Sequence, residues 1–312
     1  MKTILSGVKP TGRPHIGNYF GAMRQLVDMQ KDYHVYAMAV DYHALISVHE
    51  AKILKQDTVD LVIDYLAIGI DPERTLLFKQ SEVPEHTELA WILNCITTVP
   101  YMMRAHAYKD AVAKGEEVNV GLFSYPILMA ADILMYDIDK VPVGKDNKQH
   151  LEMAREIARK FNTIFGETFK EPEEFIMEEV AIVPGTDGKK MSKSYGNTIS
   201  LFATDEEIEE KVMSIVTDSK AEYPENVFYI HKLFRPTIEL DKIYEENKGK
   251  YKAIKEILIG DLKNFIKPLR EKREEIAKNL DFVNKVLAEG KEKARAVASA
   301  KMQTVKKAIG VL

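Results

Sequence analysis

Short apolar runs alternate with amphipathic stretches from the second residue onward, and this alternation limits the chain to few folds. "KTILSG" reads as a buried strand ending in glycine. "NYFGAMRQLVDMQ" then places Tyr19, Phe20, Met23, Leu26 and Val27 at helical spacing. "HVYAMAV" is a second strand, "DTVDLVIDYLAIGI" a second helix that stops at Asp71-Pro72, and "TLLFKQ" a third strand. Strand and helix in strict alternation predict an α/β fold with a parallel sheet.

Further along, "HTELAWILNCIT" and "YPILMAADILMY" have helical patterns, "KVPVG" reads as a strand and "NKQHLEMAREIARKF" as the helix after it. "EEVAIV" is expected to be the last strand, followed by the polar loop "PGTDGKKMSKSYGN". Thr204 and Glu207 form a capping-box pattern, and from there the chain is almost entirely helical in pattern. A soft boundary falls near residues 195–205.

Charge adds a second asymmetry. The 312 residues carry a net charge of −4, yet the stretch from Lys250 onward is net +8 and the remainder net −12. A basic end on an acidic body points either to a polyanion such as RNA or to a solvated helix face. Cys95 is the single cysteine, so no intrachain disulfide and no cysteine-based metal site is available. A reducing, cytoplasmic location is expected. No apolar run reaches membrane-spanning length, and the N-terminal apolar core is too short for a signal peptide.

The chemistry begins at "SGVKPTGRPHIGNYFGA", where two prolines and four glycines sit between the first strand and its helix. Such a turn is where doubly wound sheets bind nucleotides, with the helix start favouring anions. The spacing matches neither G-x-G-x-x-G nor the P-loop pattern. His15 can donate to a phosphate oxygen, and Gly17 lets a ligand approach the backbone. Lys190 and Lys193 lie on a polar loop in which Gly185, Gly188 and Gly196 are possible hinges. No histidine falls in a metal-ligand pattern, so the side chains are expected to hold no metal of their own.

"HIGN" at 15–18 and "KMSKS" at 190–194, in this order, resemble the HIGH and KMSKS signatures of class I aminoacyl-tRNA synthetases. Asn18 stands where the first signature has histidine, and it still offers a donor amide. "VDYHAL" at 40–45 and "YPILMAADILMYDIDKVPVGKDNKQHLEMAREIARKFN" at 125–162 are similar to the bacterial-type tryptophanyl-tRNA synthetases. The resemblance covers most of residues 1–200 and, more loosely, "KARAVASAKMQTVKKAIG" near the end.

The resemblance implies a Rossmann-like parallel-sheet catalytic domain over residues 1–200 and an all-helical, anticodon-binding domain over 201–312. Residues 80–122 would contribute to a homodimer interface, and 185–197 would be the mobile signature loop. The implied reaction joins L-tryptophan to Mg-ATP as tryptophanyl-adenylate with loss of pyrophosphate, then passes tryptophan to tRNA(Trp). Magnesium would arrive held by ATP phosphates and water. His15, Asn18, Lys190 and Lys193 would be catalytic. Lys9, Pro10, Thr11, Gly17, Asn18, Gly144, Lys145, Asp146 and Ile182 would bind ATP together with Lys190, Met191, Ser192, Lys193 and Ser194.

Leu5, Gly7, His43, Tyr125, Met129, Asp132, Ile133, Val141, Val143 and Asn147 would bind tryptophan, with Asp132 accepting the indole N–H. Tyr125, Met129, Asp132 and Ile133 share one helix face by spacing alone. His43 reads either as a ligand to the amino acid or as a satisfied core histidine. Lys145, Asn147 and Leu5 depart from residues common in relatives at those positions. The alternatives are a tyrosyl-tRNA synthetase, a nucleotidyltransferase without a tRNA substrate, and a binding protein with inactive chemistry.

Overall fold

In the computed structural model, which describes residues 1–144, 148–176, 183–217 and 223–312, five strands are parallel in a single sheet. They are β1 (Thr3–Val8), β2 (His34–Ala39), β3 (Thr75–Lys79), β4 (Lys140–Val143) and β5 (Glu173–Ile176). Their spatial order is β3-β2-β1-β4-β5. β1 and β2 pair from Thr3↔His34 to Val8↔Ala39, and β1 meets β4 at Ile4↔Lys140. The order reverses between β1 and β4, so a crevice opens there at the carboxyl ends of the strands.

Four strands lie where the sequence predicts them. The fifth does not: the expected "EEVAIV" lies almost wholly outside the described residues, and β5 is the earlier "EEFI". Two glutamates disguised it. On an edge strand they stay at the surface, where Lys2 and Lys148 pair with Glu173 and Glu174 respectively.

Alternate residues of β1 and β2 face opposite sides of the sheet and separate two cores. Ile4, Val35, Ala37 and Ala39 belong to one, and Leu5, Met38 and Val40 to the other. Each core also takes in the C-terminal helices. Ile254, Leu258, Leu262 and Leu287 join the first, and Ala294, Ala298, Met302 and Val305 the second. The Thr204–Glu207 box forms as the sequence predicts, with Thr204 Oγ1 accepting from Glu207 N at 3.2 Å and Thr204 N donating to the Glu207 carboxylate at 2.8 Å.

The final helix, Leu280–Ala308, returns to the sheet and lies directly on β3. Gly290 permits this approach, since a Cβ there would fall 1.9 Å from the Leu77 carbonyl oxygen. In an exposed helix Gly→Ala gains about 1 kcal/mol. Here Gly290→Ala should instead lose about 1–3 kcal/mol through overpacking, read as a lower urea midpoint. A raised midpoint would show that helix and strand are not held this close.

The helix also uses much of the basic excess. Lys301 reaches Asp137 at 2.6 Å, Lys306 reaches Glu88 at 2.6 Å and Arg295 reaches Glu85 at 3.5 Å. Part of the +8 tail therefore pairs with the acidic body.

Candidate active site

β1 delivers its chain into the loop before His15, and His15 starts the next helix through a reciprocal cap. Its Nδ1 accepts from Asn18 N at 3.2 Å, while Asn18 Oδ1 accepts from His15 N at 3.1 Å. This is a capping box built from His and Asn. It fixes the tautomer, because Nδ1 accepts and Nε2 must carry the proton. The Asn18 oxygen is engaged and its NH2 remains as the donor. Gly17 leaves room for the ring, since a Cβ would come within 2.9 Å of His15 Nδ1. A π-helical turn, Tyr19–Met23, follows at once, a distortion common at functional sites.

The chain just after the second signature is tied by backbone to the first. Ile16 N donates to Ile199 O and Leu201 N to Pro14 O, both at 3.0 Å. Asn197 organises the loop between: its Oδ1 accepts from Ser192 N at 2.8 Å and its Nδ2 donates to Asp187 at 2.6 Å. Two of the suggested hinge glycines have packing roles. A Cβ on Gly185 would strike Asn197, and one on Gly188 would strike Asn226. Gly196 is left-handed and has open space around it.

Lys193 Nζ donates to the carbonyls of Thr11 and Gly12 at 2.9 and 2.8 Å. Partial desolvation against the first loop lowers the pKa of its ammonium, partly offset by the charges of Asp57 and Asp64. Thr11, His15, Gly17, Asn18, Lys190, Met191, Ser192 and Lys193 together line a cleft of about 500 Å³. Val183 and Tyr195, which the sequence did not single out, complete it. Its charged walls are cationic, as a polyphosphate requires.

Burial and the charge of Lys193 push His15 down from 6.5 to about 4. Between these values the unfolded chain takes up a proton that the folded chain refuses, so this residue's contribution to stability falls as pH drops through that window. An NMR titration should find the His15 ring neutral at pH 5.5. A midpoint near 6.5 would contradict its burial against the loop.

A second cavity of about 380 Å³ adjoins the end of β1 and is large enough for a small-molecule ligand. Leu5, Gly7, Lys9, His43, Tyr125, Met129, Asp132, Ile133 and Val141 line it, with Val8, Met38 and Val40 as further walls. The helix Val120–Leu134 supplies four of these, so their shared face is as the spacing predicts. Tyr125 is held from behind by His150, OH to Nε2 at 2.7 Å. Lys9, expected from the resemblance to bind ATP, lines this cavity, with Nζ 5.5 Å from the Tyr125 ring centre.

Asp132 is 3% exposed. His43 Nε2 lies 2.9 Å from its Oδ2, and Gln80 Nε2 donates to both oxygens at 2.8 and 2.9 Å. Burial pushes the carboxyl up, but His86 and His43 outweigh this and hold it at about 2. An ionised acceptor in an otherwise largely apolar wall suits a flat ring bearing one donor. His43 is buried and hydrogen-bonded, and it also lines the cavity.

Pro10, Gly144 and Ser194 line neither cavity. Lys145, Asp146, Asn147 and Ile182 lie outside the described residues, as does the Val143 side chain. The sequence missed Gln80 and His86. The one available signal was a polar residue at the carboxyl end of a strand, where α/β sheets place their sites.

Comparison with known proteins agrees with this chemistry. The model of the family tRNA synthetases class I (W and Y) matches residues 1–288, and the chain belongs to that family. A tryptophan–tRNA ligase of Fusobacterium nucleatum is 52% identical, covering 100% of this chain and 99% of its own. One from Rhodopirellula baltica is 43% identical, covering 99% of each. The crystal structure of Campylobacter jejuni tryptophanyl-tRNA synthetase with ADP and tryptophan is similar with a TM-score of 0.92 and 42% identity, covering 99% of both chains. Within the class, the chain belongs with the tryptophan–tRNA ligases.

Proposed function

We propose that the two cavities divide the activation of L-tryptophan between them. The observation that carries this is their adjacency to one loop, the end of β1: a cationic cleft on one side and a pocket with a single buried carboxylate on the other. Tryptophan lies in the pocket with its indole N–H on Asp132 and its carboxylate toward the cleft. That carboxylate attacks the α-phosphorus of ATP, a new O–P bond forms, and the bond to pyrophosphate breaks. His15 Nε2–H and the Asn18 amide donate to the phosphoryl oxygens. Lys190 and Lys193 stabilise the charge that grows on the leaving group. For this, Lys193 must exchange two neutral carbonyls for phosphate oxygens, a stronger, charge-assisted contact.

Magnesium would supply further charge neutralisation on the phosphates. Among the described residues no carboxylate lines the cleft, and phosphate and water would hold the ion. Residues 1–200 carry this chemistry, and the helices of 201–312 read the anticodon, with exposed Lys278, Lys293 and Lys307 on the RNA backbone. The chain acts in the cytoplasm, and among the described residues no helix is long and apolar enough to cross a membrane.

A homodimer forms through the segment 80–122. Trp91 is 71% exposed there, and Val99 and Met103 of the same segment are exposed too, while Leu89 and Leu93 of the Trp91 helix are buried. Charging of tRNA(Trp) with labelled tryptophan in the presence of Mg-ATP tests the whole reading. Charging of that tRNA with tyrosine instead would overturn it.

A further inference from the structure

We infer that Gln80 and His86 are positioning residues for substrate selection: they hold the Asp132 carboxylate in one orientation, so that the pocket selects an amino acid whose ring carries an N–H. The inference rests on reading Asp132 as the indole acceptor. Neither residue is among the cavity's lining residues, and both are completely buried behind Asp132. They come from the turn Gln80–Glu82 after β3 and from the first turn of the helix Glu85–Ile96.

Gln80 bridges both carboxylate oxygens through one NH2 group, at 2.8 and 2.9 Å, and so resists rotation of the carboxylate about its Cβ–Cγ bond. A carboxylate can only accept, so the amide must present its nitrogen. That leaves Gln80 Oε1 buried without a hydrogen-bond partner among the described residues. An apolar side chain of the same volume would avoid this desolvation cost but would leave the buried Asp132 charge with fewer donors. One NH2 group that spans both oxygens meets that charge and also fixes the plane in which the carboxylate is held.

His86 extends the support. Its Nδ1 lies 2.6 Å from Asp132 Oδ1, a close electrostatic contact whose alignment falls short of a hydrogen bond, and its Nε2 lies 2.8 Å from the Tyr136 hydroxyl. The nitrogen facing an ionised carboxylate carries the proton, so Nε2 accepts from Tyr136. Burial and the Asp132 charge push the Tyr136 hydroxyl well above its ordinary value, which keeps it a donor. The titratable groups around Asp132 are thus His43 on the cavity side and His86 behind it, with Tyr136 beyond.

The test compares kcat/KM for tryptophan with that for its benzothiophene isostere, which has sulfur in place of the ring N–H. The wild-type chain should prefer tryptophan by about 100-fold or more. Gln80→Met and His86→Leu should each reduce this preference at least about 10-fold, mainly through KM, since the contact exists before and during the reaction. His86→Asn, which keeps a donor nitrogen toward Asp132, should restore most of it. Gln80→Glu keeps the shape and adds a competing carboxyl, so the acid limb of the tryptophan KM profile should rise by more than about one pH unit.

Unchanged preference in Gln80→Met and His86→Leu, or an unmoved acid limb in Gln80→Glu, would overturn the inference while leaving Asp132 in its role. A wild-type chain that accepts both amino acids equally would overturn the reading of Asp132 and this inference with it.

Discussion

Lys193→Ala should lower tryptophanyl-adenylate formation by about 100-fold or more while tryptophan affinity stays nearly unchanged. The lysine does not line the cavity around Asp132, the proposed tryptophan site, so ground-state binding of the amino acid has little reason to change. Its contacts with Thr11 and Gly12 are made at exposed residues, where water replaces them at small cost. On the proposed mechanism, what is lost is a cation that meets pyrophosphate as it leaves. Rapid-quench measurement of a single turnover reads this directly. An unchanged rate would remove Lys193 from the chemistry and recast its contacts with the first loop as structural.

Asp132→Asn acts on the other cavity and on the other kinetic constant. Donors from His43 and Gln80, with His86 close by, converge on two acceptor oxygens. An amide has one oxygen, so its NH2 would face a donor whichever way it turned. The kcat/KM for tryptophan should fall on the order of 100-fold, mainly through KM. The fold should also weaken by about 1–3 kcal/mol, because a buried donor loses its partner. Pyrophosphate exchange at varied tryptophan concentration separates the two constants. Equal kcat/KM in the variant would refute the indole assignment even if stability had changed.

Periodicity and signature spacing made much of this structure legible in advance. Four strands, the long helices, the Thr204–Glu207 cap and the shared face of Tyr125, Met129, Asp132 and Ile133 follow from local pattern. The His15–Asn18 cap was hidden because neither residue belongs to the usual Ser/Thr and Glu/Gln box, although the three-residue spacing is the same. Gln80 and His86 were hidden for another reason. Their meaning lies in converging on Asp132 from separate elements, and no local pattern encodes such a contact.

Charge counting had a similar limit. It registers that the C-terminal stretch is basic, but not that Lys301 and Lys306 are directed at Asp137 and Glu88 of the chain itself. These and the Arg295–Glu85 pair tie the last helix to the elements that carry His86 and Tyr136. Glu85 and Asp137, the sequence neighbours of His86 and Tyr136, are both gripped by it.

The central claim is that one cavity chooses tryptophan and the adjoining cleft joins it to ATP. ATP–pyrophosphate exchange, run without tRNA against each of the twenty amino acids, tests it most directly. The account predicts exchange with tryptophan alone. Exchange driven by tyrosine, or no exchange while tryptophan still binds by calorimetry, would contradict it.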